Sequence, residues 1–536
     1  MKFKSKILLF LILALAFILR IWQVGEIPTF ISDEASIGYN AYSVLKTGRD
    51  EWGSFLPISF KSFGEYKLPI YIYSAVPSVA LFGLSETATR LPSVLAGVAA
   101  VGLIFLLGRQ LFSEKVGLLA AFFLAINPWH FEVSRMALEA NLALVFILAG
   151  VYFLLFAEKN KKALFLSFFL FTLSFYTYNS CRLFIPLFLF LFFFFQRKTW
   201  IGILKRNWLA LVMVLVLSLP IFLSGFQGSS QRLTKVGIFT DPGIINRIEA
   251  GRALCFGENS PLLCRLFYNR PITYSQVFAK NYLSHFSLKY LFSQGSGLAQ
   301  YSVPGRGALY PFELPFLILG VIFLFKKKRR ENLILFGLWL LTAPIANSFT
   351  GEAHPVRALI LLPVFPILSA LGMVYVFDLV KKRKLRLLFS FGLGLIVLIC
   401  LFGYLVTYFF DYPQKPGSTW QEGYESLYQK LALREGDYDK VVVSKFYGEP
   451  HIFYLFYRRF DPRIYQDGQD VIRYVRSDAW VNVDRIGNYY FSQDGIEISG
   501  KVLYALPPQE VGEGLEILDE VLWQNGKQSF LIGEVK

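Results

Sequence analysis

The chain has 536 residues; 54% are hydrophobic, 17% aromatic and only 17% charged, yet the formal net charge is +16. Soluble domains carry about a quarter charged residues, so a mean hydropathy of +0.46 excludes an ordinary soluble enzyme, and the same apolar content excludes a disordered chain. Such a basic excess means either nucleic-acid binding or Lys and Arg gathered on the cytoplasmic loops of a membrane protein.

A membrane helix needs roughly 20 mostly apolar residues. Taken in chain order, spans are expected to start near Ile7, Arg90, Val116, Asn141, Ala163, Arg182, Asn207, Pro311, Asn332, Val356 and Leu385, about eleven in all. Apolar residues continue past Ala14-Leu15-Ala16 to Val24, so the first segment reads as an uncleaved anchor rather than a signal peptide. Asn179, Ser180, Cys181 and Arg182 divide the long apolar run Phe165–Phe195 into two helices joined by a short turn. Lys67–Leu84 is apolar but interrupted by Pro69 and Pro77, and a proline inside a helix removes a hydrogen bond.

Charge arbitrates that segment. With eleven spans and a cytoplasmic N-terminus, the inner stretches hold Lys2, Lys4 and Lys6, then Arg109 and Lys115, Lys159–Lys162, Arg197–Arg206, Lys326–Arg330 and Lys381–Arg386. They carry 22 basic residues against three acids, Glu114, Glu158 and Glu331. A span at residue 67 puts all the later clusters outside, so Lys67–Leu84 is read as lying flat on the outer surface. The +16 is thus an orientation signal, and no nucleic-acid partner is expected. No internal repeat is evident.

Residues 1–410 are therefore read as a transmembrane domain with outer loops at 25–89 and 225–310. After Tyr412-Pro413-Gln414-Lys415-Pro416-Gly417, residues 411–536 read as a small extracytoplasmic α/β domain, a lid or docking platform without a catalytic motif. In it Gln421–Leu433 has helical spacing, Lys440–Ser444 reads as a buried strand and His451–Tyr457 is apolar and aromatic. Cys181 and Cys400 read as packing residues, whereas Cys255 and Cys264 share the second outer loop, with pairing and free thiols both open. No Cys/His spacing suggests zinc, and His130, His285, His354 and His451 read as ordinary polar loop residues.

Ionisable groups crowd the outer face. Ser32-Asp33-Glu34 opens a helical stretch that runs through Leu45 to Gly48. Ser32 caps that helix and the two acids complement its positive end, or a carboxylate held ionised there acts as a general base. Lys67 in Gly64-Glu65-Tyr66-Lys67-Leu68-Pro69, Arg90 in Thr89-Arg90-Leu91-Pro92, Arg135 in Ser134-Arg135-Met136 and Arg357 in Glu352-Ala353-His354-Pro355-Val356-Arg357 stand at outer helix ends. Each alone fits a lipid headgroup contact; together they suit a lipid phosphate.

The order of these pieces resembles a known family. A basic start and one span precede Asp33-Glu34, Tyr66-Lys67-Leu68-Pro69-Ile70-Tyr71 and Arg90-Leu91-Pro92, and Arg357-Ala358-Leu359-Ile360-Leu361-Leu362-Pro363 opens a late span. This is similar to the dolichyl-phosphate-mannose–protein mannosyltransferase family (glycosyltransferase family 39, GT-C fold), to which the lipid A aminoarabinose transferases are related. The resemblance covers residues 1 to about 410. It implies a polytopic α-helical membrane enzyme that moves a sugar from a polyprenyl-phosphate donor to a glycan, lipid or protein acceptor at the outer face, with inversion. Carried over, Asp33 is the base, with Glu34 assisting, and Lys67 binds the donor phosphate with Arg90, Arg135 and Arg357. Tyr66, Tyr71, Glu352 and His354 are weaker substrate-binding candidates. No cofactor is required; a divalent metal is compatible with the reaction but not indicated, and metal dependence stays open. Lys-Leu-Pro stands where relatives often have Lys-Pro or Pro-Pro, and the tail lacks the trefoil pattern of the eukaryotic members. The alternative is a polyprenyl-linked glycan flippase without transferase chemistry; span middles almost free of charge argue against ion-coupled transport.

Overall fold

The computed structural model describes residues 3–64, 66–224, 237–256, 260–415, 421–476, 480–491 and 500–535. The chain forms two compact units. One comprises Met1–Ala16, Val98–Val133 and Ala143–Cys400; the other comprises Phe17–Gly97, Ser134–Leu142 and Leu401–Lys536.

All eleven segments read as spans are helical: Phe3–Ile21, Glu86–Leu111, Glu114–Ile126, Glu139–Leu154, Lys161–Phe175, Cys181–Phe195, Trp208–Ser224, Glu313–Lys326, Arg330–Thr342, Val364–Leu379 and Arg383–Val406. By length and apolarity, three helices among the described residues suffice to cross a membrane: Glu86–Leu111, Leu359–Leu379 and Arg383–Asp411. The number rises to five if Glu114–Ile126 with Pro128–Ser134, bent by 60°, and Cys181–Phe195 with Arg197–Arg206, bent by 114°, each count as one span. The expected eleven is not reached because most of the rest are shorter than 18 residues, while the 19 residues of Phe3–Ile21 carry Lys4, Lys6 and Arg20. The 13 residues of Arg330–Thr342 rise about 20 Å, short of the roughly 30 Å hydrocarbon layer.

In the first unit, Glu313–Lys326 and Val364–Leu379 cross at Gly320 and Gly372. A Cβ on either would collide with a backbone carbonyl, that of Leu368 or of Phe316, so only glycine lets the helices approach this closely. Asn179 and Ser180 lie in the turn between the helices Lys161–Phe175 and Cys181–Phe195, as expected. Cys255 and Cys264 are joined in a disulfide, tying Pro242–Phe256 to Pro261–Phe267. Cys181 and Cys400 are free.

The second unit is built on four helices and a sheet. Helix α1 (Phe3–Ile21) enters it, α2 (Ser32–Thr47) and α3 (Pro69–Phe82) pack together, and α4 (Glu86–Leu111) leaves it. Helix α3 corrects an expectation: it begins with Pro69 in its first turn and runs through Pro77 unbroken. Its buried face carries Tyr71, Ile72, Ala75 and Val79.

The tail contributes α5 (Tyr424–Ala432), α6 (Pro450–Tyr457) and seven strands. After the short hairpin of β1 (Phe60–Lys61) and β2 (Tyr66–Lys67), these are β3 (Lys440–Val443), β4 (Val471–Val475), β5 (Val481–Ile486), β6 (Tyr489–Tyr490), β7 (Val502–Leu506), β8 (Leu515–Leu522) and β9 (Gln528–Val535). Their order is β4-β5-β6-β3-β7-β9-β8. The central strand β3, buried Val441-Val442-Val443, runs parallel to both neighbours, and the other pairs are antiparallel. A boundary at 410/411 falls inside this unit, because apolar side chains of the tail share a core with side chains between Phe30 and Ala88. The Phe30 and Phe456 rings stand 4.8 Å apart.

The histidines need correction. His130, His285 and His451 are buried within or at the end of helices rather than in polar loops. Burial, with Lys445 adding to it, pushes the His451 imidazole down to about 3, so it stays neutral.

Candidate active site

The last turn of α1 and the irregular segment that leads to α2 present backbone carbonyls to two buried arginines. Arg135 donates to the carbonyls of Leu19 (2.9 Å), Arg20 (3.1 Å), Gln23 (3.3 Å) and Ile27 (2.7 Å), and through Nε to the Tyr408 hydroxyl (3.1 Å). Arg90 donates to the carbonyls of Val24 (2.7 Å), Pro28 (2.8 Å) and Thr29 (3.2 Å). Its remaining N–H groups form a fork on Glu34, Nε to Oε1 at 2.8 Å and Nη2 to Oε2 at 2.6 Å. A guanidinium has five N–H donors, and both arginines spend all five on protein. They are therefore clamps that fix how the chain enters α2, not the free phosphate donors expected from the sequence.

Glu34 is the second half of the clamp. Its side chain and that of Arg90 are both 0% exposed. Oε1 also accepts from the Ala137 N–H at 2.6 Å, and Oε2 from the Ile31 N–H at 3.4 Å. Both of its carboxylate oxygens are thus engaged by the protein, so it is not the accessible acid of the pair. Ile31, not Ser32, is the N-cap, and no side-chain cap is made there. The N–H of Ser32 instead donates to Gln421 Oε1 from the tail, at 2.8 Å. The helix ends at Gly48, whose left-handed φ of 68° closes the last turn with a bond to the Val44 carbonyl.

One residue before Glu34, the arrangement opens. Lys67 Nζ donates to Asp33 Oδ1 at 2.5 Å, with the lysine side chain 4% exposed and the aspartate 44%. The β1–β2 hairpin sets Lys67 opposite Phe60, and its ammonium lies 5.9 Å from the Phe63 ring centroid. The structure thus pairs the two residues singled out for base and phosphate binding, and it leaves the carboxylate accessible.

Tyr66, the other residue of β2, is half-buried. Tyr71 is fully buried and its hydroxyl donates to the Thr89 carbonyl at 3.2 Å, which removes it from substrate contact. Glu352, His354 and Arg357 belong to the other unit. There Glu352 pairs with Lys280 at 2.8 Å, the His354 ring lies 5.0 Å from that of Tyr301 at a tilt of 45°, and Arg357 is half-buried. Among the described residues, no group of three His, Cys, Asp or Glu side chains is gathered for a metal. A cavity of about 450 Å³ in the second unit is lined by Glu86, Glu425, Tyr457 and Arg459 among others, and includes neither Asp33 nor Lys67.

Two neighbours of the pair escape the sequence reading. Glu51 is buried near Lys67, and its N–H donates to Asn40 Oδ1 at 3.1 Å. Burial, reinforced by Asp50, pushes its carboxyl up to about 8. Gln421 is the other. Neither lies in a motif, and Gln421 is 389 residues from its partner.

The sequence model of dolichyl-phosphate-mannose-protein mannosyltransferases matches residues 67–223. No match was found among the curated proteins. Among solved structures, the chain is similar to ArnT from Cupriavidus metallidurans in the apo state: TM-score 0.55, 12% identity, 98% of this chain and 97% of that one. The same ArnT bound to undecaprenyl phosphate matches with TM-score 0.54 at 12% identity over the same shares. The Archaeoglobus fulgidus oligosaccharyltransferase matches with TM-score 0.53 at 14% identity, over 85% of this chain and 64% of that one. Over residues 67–223 the chain carries the sequence pattern of the dolichyl-phosphate-mannose–protein mannosyltransferases, and across its length it carries the GT-C fold of membrane glycosyltransferases.

Proposed function

We propose that this chain is a multi-pass membrane glycosyltransferase, with its N-terminus cytoplasmic and its tail outside. It transfers a sugar from a polyprenyl-phosphate donor to a hydroxyl of a glycan, lipid or protein acceptor, with inversion. The observation that carries this reading is the pair Asp33–Lys67, an accessible carboxylate and a buried ammonium 2.5 Å apart, in a fold shared with a protein crystallised with undecaprenyl phosphate.

The donor phosphate binds Lys67 and draws the ammonium from Asp33. Loss of the adjacent cation raises the proton affinity of the carboxylate, so the base is activated by the substrate it serves. Asp33 takes the acceptor O–H proton as that oxygen bonds to the anomeric carbon. The bond from that carbon to the phosphate oxygen breaks, and polyprenyl phosphate leaves with its added charge held by Lys67. A preorganised group aimed at developing charge contributes about 10²–10³ in rate, and a general base about 10²–10⁴. Lys67 supplies the positive charge, so the reaction requires no cofactor and a chelator leaves turnover unchanged.

The test is sugar transfer by the purified chain from polyprenyl-phosphate sugars to a panel of acceptors, with release of polyprenyl phosphate. Asp33→Asn and Lys67→Met abolish transfer while the protein stays folded; near-normal turnover in either removes that residue from the mechanism. Lipid movement across vesicles without transfer supports a flippase instead.

A further inference from the structure

We infer that Gln421 is a strut by which the tail holds the catalytic end of α2 in place, a positioning residue acting through Asp33. The inference rests on Asp33 being the base. The first N–H groups of a helix have no partner within it, and with Ile31 at the cap no side chain of the helix itself serves that of Ser32. Gln421 Oε1 accepts that N–H at 2.8 Å, one residue before Asp33. Its Nε2 donates to the Tyr447 carbonyl at 2.9 Å, so both ends of the amide are engaged and its direction is fixed.

Two features show that the local backbone is shaped around this amide. Gln421 sits at φ 58°, in the left-handed region that side-chain-bearing residues avoid. Such strain persists only where the surroundings impose it. On the other side, Gly448 at φ 117° gives the amide its room: a Cβ there would collide with Gln421 Nε2. Two separate turns of the tail, one strained at Gln421 and one opened by a glycine at 448, thus deliver one acceptor to the N–H beside the proposed base. Small misplacements of a catalytic group cost rate without weakening binding of distant parts of the substrate.

Three variants of the full chain in nanodiscs test this. Gln421→Ala frees the Ser32 amide, so exchange of the peptide containing it accelerates. The kcat with mannosyl-phosphoundecaprenol as donor falls roughly 10–100-fold, while KM for this donor and Kd for undecaprenyl phosphate stay put. Gly448→Ala, which pushes the amide out, gives the same kcat loss, and combining the two adds nothing. Gln421→Gly separates positioning from stability: it relieves the φ strain and keeps or raises the melting temperature, yet loses the same kcat. Unchanged exchange at Ser32 in Gln421→Ala overturns the strut, as does a Gln421→Gly variant whose kcat recovers with its stability. The exchange arm needs no turnover. If it responds as stated while the wild type transfers nothing, the strut stands and the transferase reading fails.

Discussion

Two acid–cation pairs sit side by side at the start of α2, and their environments differ in every respect that matters. Glu34–Arg90 is sealed from solvent, bidentate and joined to backbone groups on both sides. Asp33–Lys67 is a single short contact whose carboxylate is nearly half exposed. Sequence places the two acids together and gives each a cation at an outer helix end. Burial then separates them: a group with every lone pair and proton engaged holds the chain, and one with an open face is left accessible for the chemistry we propose.

Breaking the sealed pair has the largest expected effect. Removing one partner of a buried ion pair leaves an uncompensated charge and costs about 3–5 kcal/mol, so Glu34→Ala and Arg90→Ala are expected to lose most folded protein. Membrane yield and the melting temperature of the purified chain check this, and a Glu34→Ala variant of normal stability contradicts the clamp. Arg135→Ala removes a donor from the carbonyls of Leu19, Arg20 and Ile27, while that of Gln23 keeps the N–H groups of Glu26 and Ile27. An unsatisfied buried group costs about 1–3 kcal/mol, so this variant falls in the same class.

The open pair behaves in the opposite way. Asp33→Asn, at a carboxylate 44% exposed, is expected to melt close to the wild type, whereas Lys67, only 4% exposed, is probed as Lys67→Met, which keeps its buried stem. Turnover falls by at least about 10²-fold. A double-mutant cycle sharpens the contrast: Glu34 with Arg90 couples in stability, Asp33 with Lys67 in kcat. A stability coupling for Asp33–Lys67 as large as that for Glu34–Arg90 erases the distinction.

Much of this is legible in the sequence, and what is not has physical reasons. Apolar runs locate all eleven helical segments, but not the ends that leave most of them short of a full crossing. Asp33 and Lys67 stand out because a carboxylate at a helix start and a lysine before a proline-opened helix are local patterns. Arg90 and Arg135 stand out for the same reason, yet their role differs from the one expected, since a sequence shows a cation but not which carbonyls surround it. The tail reads as a separate domain because composition changes sharply at its linker. Its packing on the stretch from Phe30 to Ala88 depends on Phe456 and Gln421, whose partners lie hundreds of residues earlier.

The effect that only a change of pH exposes concerns the third carboxylate of this neighbourhood. Glu51 is buried, and its carboxyl is pushed up to about 8 by that burial and by Asp50, against the pull of Asn40, Arg473 and Lys67. Its ordinary value is 4.5. Between these two values the folded protein keeps a proton that the unfolded chain gives up. The contribution of Glu51 to stability is therefore fully present below pH 4.5, lost progressively up to about pH 8 and flat above it. The slope is at most about 1.4 kcal/mol per pH unit for one proton. Glu51→Gln carries no such proton, so it and the wild type should melt alike near pH 4.5, with the variant increasingly the more stable towards pH 8. Parallel melting curves across that range place Glu51 in contact with water and leave its carboxyl unperturbed. If the curves diverge, Glu51 is neutral at neutral pH and does not compete with Asp33 for Lys67. Above pH 8 a charged Glu51 competes for the same ammonium, and transfer should weaken in the wild type more than in Glu51→Gln.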